Sequence, residues 1–359
     1  MLTLLLFILI LSILIVVHEL GHFFAAKRVG VRVEKFSMGF GPQLWKRKKG
    51  DTEYSIAAIP LGGFVKLAGD NLEEYTGKPD EYYSKTPGER FQIIFLGPLL
   101  NYILGFLFFW LIFFTGYPTL TTKVGGLLDG MGAKEAGLQV GDKIMAIDGK
   151  PVYYWDDMQA LIRSKKTKDT LRLSIARNDL NLDVDVRIRE KQVDDQMGAK
   201  RKIGLIGITP YDEIVKVRHG FFASCWLGLR QTWELTRITY LGLWRMITGK
   251  LSVRDSVTGP LGIFYITSKA ASIGIIAILH LIAILSISLG LFNLLPLPIM
   301  DGGHIFLLGL EKLRGKALSA KTENIITKVG IYMVVTLAVF VTYNDIVRLF
   351  GDKIQKFFK

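Results

Sequence analysis

The sequence predicts a multi-pass α-helical membrane protein with four transmembrane helices, a β-hairpin or small sheet in its first loop and one inserted α+β unit. Half of the 359 residues are hydrophobic, more than a soluble protein of this length usually carries. Yet 21% of the residues are charged, which is too many for a bundle made only of membrane helices. The charges gather between long apolar segments, so membrane-spanning helices are expected to alternate with water-exposed parts.

Four apolar segments are long enough to cross a bilayer, which takes about 20 residues in a helix. A fifth segment, Phe221–Ile247, mixes arginines with tryptophans, a pattern typical of an amphipathic helix at a membrane interface. We expect this interfacial stretch to extend over residues 209–258. The four predicted spans are 2–26, 91–116, 273–295 and 331–350.

The distribution of lysine and arginine predicts the orientation of the first half of the chain. The first loop begins with Lys27 and Arg28 and ends with Lys85 and Arg90, whereas only Lys123 closely follows the second span. The positive-inside rule therefore places the first loop in the cytoplasm and the long central segment outside. The loop after the third span is basic too, but so is the C-terminal tail, and that half of the chain orients less clearly.

Charge, cysteine content and the N-terminal segment exclude several classes of protein. The net charge of +13 comes with no nucleic-acid-binding module, and basic cytoplasmic loops account for it. Cys225 is the single cysteine, which excludes an internal disulfide framework and a multi-cysteine zinc site. The apolar N-terminal run lacks the basic start and cleavage site of a signal peptide, so we expect it to be retained.

Two regions outside the spans have the patterns of strands. Apolar residues alternate before Gly41-Pro42 and again before Pro60, which predicts a hairpin in the first loop. The pattern leaves open whether its apolar side enters the membrane interface. From about 121 to 189 the chain predicts a compact α/β unit, with a helix near 155–164 between strands at 145–148, 170–176 and 182–188.

An H-E-x-x-H pentad at residues 18–22 is the strongest chemical signal in the chain. His18 and His22 are four residues apart, so both imidazoles face one side of a helix and can bind one Zn²⁺. Glu19 between them is the residue type that meets the water activated by such a metal. The pentad ends a charge-free apolar run, and ionisable groups at membrane depth usually mark function. A chance pentad at a helix end is the alternative.

The third zinc ligand is predicted to be Asp301. It follows Asn293-Leu-Leu-Pro-Leu-Pro-Ile-Met, where two prolines break a membrane helix, and broken backbone at that depth is tolerated where it lines a cavity. His280 is 21 residues earlier, roughly 30 Å away along a helix, so His280 and Asp301 cannot serve one site. His304 is treated as an outer-shell group, since a fourth protein ligand would exclude the catalytic water. The alternative for Asp301 is a plain helix cap.

Taken together, these motifs resemble those of the site-2 protease family of intramembrane zinc metalloproteases, in particular the bacterial group named regulator of sigma-E protease. Besides the pentad, the resemblance rests on Pro60–Val65, on Gly97-Pro98-Leu-Leu-Asn101 and on the A-G-L-x-x-G-D-x-I motif of a PDZ-like domain. Gly259-Pro260 and the N-x-x-P-x-P-x-x-D-G-G-H run are the last of these six motifs, which follow one another along the chain in the order found in the family. Met300 stands where the family usually has Leu, and the chain has one PDZ-like unit where the best-known members have two.

The resemblance implies an inner-membrane zinc endopeptidase that cleaves transmembrane segments of single-pass proteins already cut by an upstream site-1 type protease. An anti-sigma factor and signal-peptide remnants are both plausible substrates, and a stress response is the implied context. The PDZ-like domain would lie outside the cytoplasm. The implied organisation is a metalloprotease core at 1–117 and 259–359, with the PDZ domain at 118–208.

The same resemblance assigns roles to the residues of the predicted site. Zn²⁺ is the implied cofactor, and Glu19 is the expected general base. The hairpin edge around residues 54–66 is expected to hold an unwound substrate by strand addition. For Asn101, a hydrogen bond between helices is an equally good reading. The predicted substrate-binding residues are Asn293, Asn101, Pro60, Gly62 and Gly63.

Two other classes of function remain as alternatives at this point. A non-enzymatic membrane scaffold that presents a PDZ domain would not need Glu19 between two histidines. A zinc transporter would spread ionisable residues along a membrane path, whereas here they gather at one face. The lipid bilayer and membrane-protein substrates are the expected partners, and nucleic acid is not.

Overall fold

The computed structural model describes residues 2–165, 170–178, 180–194, 200–315 and 319–357. They form two compact units, and each is described by itself. The first, called the membrane unit, comprises Met1–Ile112, Ser224–Leu241 and Ser252–Lys359. The second, called the inserted unit, comprises Phe113–Ala223 and Gly242–Leu251.

The helices of the described residues include every predicted span. Four of them, α1, α2, α8 and α10, are long and apolar enough to cross a membrane, which confirms the predicted number of spans. The helices are α1 (Leu2–Arg28), α2 (Pro87–Thr115), α3 (Gly132–Glu135), α4 (Trp155–Ser164), α5 (Phe221–Ile247), α6 (Val253–Ser256), α7 (Pro260–Ile273), α8 (Ile275–Asn293), α9 (Asp301–Arg314) and α10 (Ala320–Phe357), with a 3₁₀ turn at Tyr82–Ser84.

The strands belong to the first loop, where the alternating pattern predicts a hairpin, and to the inserted unit, where three of them were predicted. The stretch predicted as interfacial and helical, 209–258, instead begins with strand residues up to 217, which pair with the first strands of the inserted unit. The two long strands of the first loop are β1 and β2, and all others lie between α2 and α5. The strands are β1 (Val33–Lys49), β2 (Thr52–Leu67), β3 (Tyr117–Leu120), β4 (Val124–Leu127), β5 (Lys143–Ile147), β6 (Lys150–Pro151), β7 (Thr170–Arg177), β8 (Leu180–Arg187), β9 (Arg189–Asp194), β10 (Lys200–Leu205), β11 (Ile208–Pro210) and β12 (Ile214–Val217).

Polar groups tie the helices of the membrane unit together at its interior. The carboxylate of Asp345 in α10 is fully buried and accepts hydrogen bonds from the backbone N–H groups of Gly259 (3.2 Å) and Gly262 (2.8 Å). It therefore satisfies donors at the start of α7 that have no partner within that helix. This contact explains Gly259-Pro260, because a side chain at Gly259 would collide with the carboxylate.

Helix α5 packs along the middle of α2 through a ridge of small residues. Its buried positions recur every four residues, at Ser224, Gly228, Thr232 and Thr236. The Thr236 hydroxyl lies 2.7 Å from the hydroxyl of Tyr102 in α2. Small residues let helix backbones approach closely in membranes. The interfacial position of α5 stays a prediction, and this contact is one that the sequence pattern did not indicate.

The inserted unit is built around a four-stranded antiparallel sheet. The strand order is β6-β5-β7-β8, and α4 contributes Met158 and Ile162 to the apolar core. Arg177 in β7 holds the carboxylate of Asp142 with two contacts of 2.7 Å. Burial alone would raise the pKa of Asp142, but the hydrogen bonds from Arg177 and from the Gln139 N–H outweigh it and keep the pKa below its usual value of 3.8.

Candidate metal centre

The H-E-x-x-H pentad lies in the second half of helix α1, where this helix meets α2 at very short range. A side chain at Gly21 would overlap the backbone of Leu96 and Gly97, so the two helices touch through their main chains. A side chain at Gly97 would overlap the imidazole of His22. Glycine at both positions is what allows the His22 ring to lie against α2.

Asp301 reaches the same place because the chain breaks between two helices. Helix α8 ends at Asn293 and α9 begins at Asp301, and the segment between them folds back onto the first turn of α9. Side chains at Gly302 or Gly303 would overlap the carbonyls of Leu294 and Leu297. The glycine pair after Asp301 therefore has a packing reason, and it brings the carboxylate to the histidines of α1.

His18, His22 and Asp301 bring their ligand atoms together as a tetrahedral zinc site would. The Nε2 atoms of the two histidines are 3.2 Å apart, and Asp301 oxygens lie 3.2 Å from His18 Nε2 and 3.6 Å from His22 Nε2. Tetrahedral zinc with bonds of 2.0–2.1 Å places its ligands about 3.3 Å from one another. Among the described residues these are the group of histidine and carboxylate side chains that could hold a metal ion.

One ligand atom of this cluster also lacks a hydrogen-bond partner. Asp301 Oδ2 is buried and makes no hydrogen bond in the structure. A buried carboxylate oxygen without a donor or cation is costly. The side chains of all three residues are less than a fifth exposed. The residues present therefore fit a zinc ion in number, donor type and spacing.

Glu19 faces the same cavity as the cluster, which is open at one side. The cavity has a volume of about 310 Å³, and its walls include Glu19, His22 and Asp301 as well as the Arg90–Glu311 ion pair. A water and a peptide carbonyl can therefore be brought to Glu19 and the histidine–aspartate cluster together.

The first-loop strands run beside helix α1 up to this point. The Ser12 hydroxyl donates to the Pro60 carbonyl at 2.9 Å, and a side-chain carbon added at Gly63 would lie 3.4 Å from Glu19 Cγ. Strand β1 pairs with two parts of β2, since Lys35–Met38 faces both 53–56 and 63–66. Among the described residues no further strand pairs with 63–66, so the edge nearest to Glu19 has no strand partner, and its Val65 N–H donates to the Glu19 carboxylate.

The other predicted site residues occupy different positions around the cluster. Asn293 is half-buried with its Nδ2 3.4 Å from His18 Nε2, on the side of the converging ligand atoms. Asn101 is completely buried behind His18, with Nδ2 3.4 Å from His18 Nδ1. His304 is exposed on the cavity wall, and no hydrogen bond from its side chain to the cluster is found in the described part of the chain. His280 packs against Phe109 and is not part of the cluster.

Sequence reasoning missed the groups that orient the His22 side of the site. His22 Nδ1 lies 2.9 Å from the backbone oxygen of Ile93, which can only accept, so the proton is on Nδ1 and Nε2 is left free. Arg90 in α2 and Glu311 in α9 form a buried ion pair that joins the helix of this acceptor to the helix of Asp301. No local pattern could pair residues 221 positions apart.

Comparisons with known proteins point to one family across nearly the whole chain. Residues 6–337 match the model of peptidase family M50. The regulator of sigma-E protease RseP of Escherichia coli is 29% identical over 447 residues, covering 96% of this chain and 98% of that protein. The zinc metalloprotease RasP of Bacillus licheniformis is 29% identical over 428 residues, with 97% and 99% covered.

Among solved structures, PDZ domains match a part of the chain. The PDZ domain of an SdrC-like protein of Listeria monocytogenes is 29% identical and covers 25% of this chain and 86% of that domain, with a TM-score of 0.21.

Proposed function

Because this chain belongs to peptidase family M50 and is an intramembrane zinc metalloprotease of regulated intramembrane proteolysis, we propose that it cleaves transmembrane segments of single-pass proteins at the cluster of His18, His22 and Asp301. The observation that carries this assignment is the convergence of the three ligand atoms within 4.8 Å of one another, with Glu19 on the wall of the same cavity. The scaffold and transporter alternatives find no support.

The two histidines and Asp301 would hold zinc, and the bound metal would polarise a carbonyl and lower the pKa of a water. Glu19 is the general base in this proposal, since its carboxylate faces the cavity that the cluster shares. It accepts a proton from the attacking water and delivers it to the departing amine, so that one carboxylate serves both halves of the hydrolysis.

The edge of β2 beside Glu19 supports a way to present the substrate. A helical substrate satisfies its own carbonyls, so the segment to be cut must be unwound and needs new backbone partners. Residues 63–66 pair with β1 on one side, and the remaining backbone groups of the other edge, beside the Val65 N–H that donates to Glu19, supply such partners by strand addition. The Pro60 carbonyl accepts from α1, and side chains at Gly62 and Gly63 would collide with β1, so glycine at both positions lets this part of β2 run close to its neighbours. Asn293, next to the ligand atoms, is proposed to contact the substrate directly.

Orientation and partners complete the proposal. The basic first loop places the hairpin and the cluster near the cytoplasmic face of the bacterial inner membrane, and the PDZ domain, assigned to 118–208, outside. The metalloprotease core comprises 1–117 and 259–359. Substrates are single-pass membrane proteins first shortened by a site-1 type protease, with an anti-sigma factor and signal-peptide remnants as the two candidates. The PDZ domain either excludes bulky ectodomains or captures a new C-terminus.

The experiment that tests the proposal is cleavage of a single-pass substrate by the purified protein in detergent. Wild type and Glu19→Gln are compared with the substrate ectodomain present or removed, and wild type is also assayed after zinc removal and after zinc is restored. We expect cleavage within the apolar segment, lost in Glu19→Gln at unchanged zinc content and recovered with zinc. Glu19→Gln that cuts as fast as wild type would overturn the assignment of Glu19, and cleavage that survives zinc removal would overturn the metal site.

A further inference from the structure

The two histidines of the cluster have different neighbours behind their rings. His22 Nδ1 donates to the backbone oxygen of Ile93, which leaves Nε2 free to face Asp301. His18 also turns Nε2 toward Asp301, at 3.2 Å. A neutral imidazole that offers Nε2 as a ligand carries its proton on Nδ1, and this N–H normally finds an acceptor. For His18 the group behind Nδ1 is the side-chain amide of Asn101.

In the orientation found in the structure, neither the nitrogen nor the oxygen of the Asn101 side-chain amide has a suitable hydrogen-bond partner at His18. Its Nδ2, a donor, lies 3.4 Å from His18 Nδ1, so two donors would face each other. Its Oδ1 is buried and has no hydrogen-bond partner. The oxygen and nitrogen of a side-chain amide have nearly the same shape, and turning the amide by half a turn exchanges them. That single exchange gives His18 Nδ1–H an acceptor and gives Oδ1 a donor.

We propose that Asn101 is a positioning residue that accepts a hydrogen bond from His18 Nδ1–H through Oδ1 and so presents His18 Nε2 to the zinc. The inference rests on the proposed ligand role of His18. Asn101 is fully buried, which separates it from Asn293 on the open side of the cluster and from the substrate-binding role that sequence alone predicts for it. Its own main chain is held in place, because the Ser286 hydroxyl of α8 donates to the Asn101 carbonyl at 2.7 Å.

Zinc affinity is the quantity that this role controls. Loss of an outer-shell partner of a ligating histidine typically weakens metal binding by about 10–100-fold. We therefore expect Asn101→Ala to bind zinc about 10–100-fold more weakly than wild type, measured by competition with a chromophoric chelator in detergent. Asn101→Asp keeps an acceptor of the same length and is expected to stay within about threefold of wild type, since carboxylates are common partners of zinc-bound histidines. Asn101→Leu, which has a similar volume but no acceptor, is expected to bind zinc as weakly as Asn101→Ala, whereas wild-type affinity in Asn101→Leu would show that Asn101 only fills space.

Two further variants separate this inference from its premise and from general packing. Thr267→Ala is the packing control, since it removes another buried hydroxyl of the membrane unit, which donates to the Ile263 carbonyl within α7, and we expect less than a threefold change in zinc affinity. His18→Ala tests the ligand itself. If His18→Ala leaves zinc affinity unchanged, the ligand assignment fails. If His18→Ala weakens binding but Asn101→Ala does not, or if Asn101→Asp is as weak as Asn101→Ala, the positioning role is overturned while the metal site stands.

Discussion

The membrane unit and the inserted unit arrange polar and apolar side chains in opposite ways. In the inserted unit, Leu171, Leu173 and Ile175 of one strand are at most 1% exposed and belong to a continuous apolar core. In the membrane unit, Leu9 is 55% exposed while Asn101 is 0% exposed. The inserted unit is thus apolar inside, as expected in water, whereas the membrane unit keeps apolar side chains outside and polar groups within.

This contrast explains where chemistry is placed in the chain. In water, burial of apolar area drives folding, so a buried polar group is a cost. In a bilayer, lipid is as apolar as leucine, and helices associate through close packing and polar contacts instead. The glycines, the asparagine and the carboxylates inside the membrane unit are therefore the groups that hold it together, and one of these carboxylates, Asp301, belongs to the metal centre.

The largest effect is expected from Asp301→Asn, which keeps the size of the side chain and removes its charge. We expect zinc affinity to fall by more than about 100-fold, beyond the range for outer-shell partners, and substrate cleavage to be lost. Chelator competition and the cleavage assay measure this on full-length protein. An Asp301→Asn protein that binds zinc like wild type would remove Asp301 from the ligand set.

The core of the inserted unit is tested by Leu173→Ala. Removing a fully buried leucine side chain is expected to destabilise this unit by about 2–5 kcal/mol. Hydrogen exchange of peptides from β7 in the full-length protein reports the loss. Zinc affinity should stay within about twofold, because none of the proposed ligands belongs to this unit, and a joint loss of both would show that the two regions do not fold independently.

A more local break of the membrane unit is Gly97→Ala, which adds one carbon where the His22 ring lies. Since the ring must shift away from its acceptor Ile93, we expect zinc affinity to fall by about 10–100-fold. Gly88→Ala in the same helix is the matched control, since a side chain there meets nothing within 4 Å. Equal zinc affinities of the two variants would contradict the close approach of α1 and α2.

The ion pair of Asp142 and Arg177 predicts a pH dependence in the inserted unit. The folded pKa of Asp142 lies below its usual 3.8, so its stabilising contribution is present above pH 3.8 and is lost as the pH falls through the lower folded value. At pH 7 we expect Arg177→Met to speed amide exchange in β7 by roughly three- to tenfold. The difference from wild type should shrink below pH 3.8. If the difference in exchange between Arg177→Met and wild type grew as the pH fell, the stabilising role of this ion pair would be contradicted.

The smallest effect is expected from Leu9→Ala, which is chemically the same change as Leu173→Ala. Its side chain faces outward, and lipid or detergent solvates that position in the folded and unfolded states alike. We expect a change within about 0.5 kcal/mol in the thermal unfolding of the protein in detergent. A loss as large as that of Leu173→Ala would show that Leu9 packs against protein.

Much of this fold could be predicted because its signals are local. Each membrane span is a continuous apolar run, and the strands of the first loop and of the inserted unit alternate in polarity. The separate helix α7 and the ridge of α5 were not predicted. Helix α7 is short and is followed directly by Gly274, and the ridge of α5 consists of Ser, Gly and Thr. Neither has a strong hydrophobic pattern, so each is recognised only from the helices on which it packs.

By itself, the sequence determined the family, the four spans, the zinc chemistry and the residues 18, 19, 22 and 301 as candidates, because spacing along a helix and residue type are enough for these. Only the tertiary structure showed that Asn101 contacts His18 at Nδ1 while Asn293 lies near its Nε2. It also showed that Ile93 and Gly97 fix the position of the His22 ring. The physical reason is distance along the chain. Hydrogen bonds to a ligand are set by where other helices cross it, and no local pattern encodes a crossing.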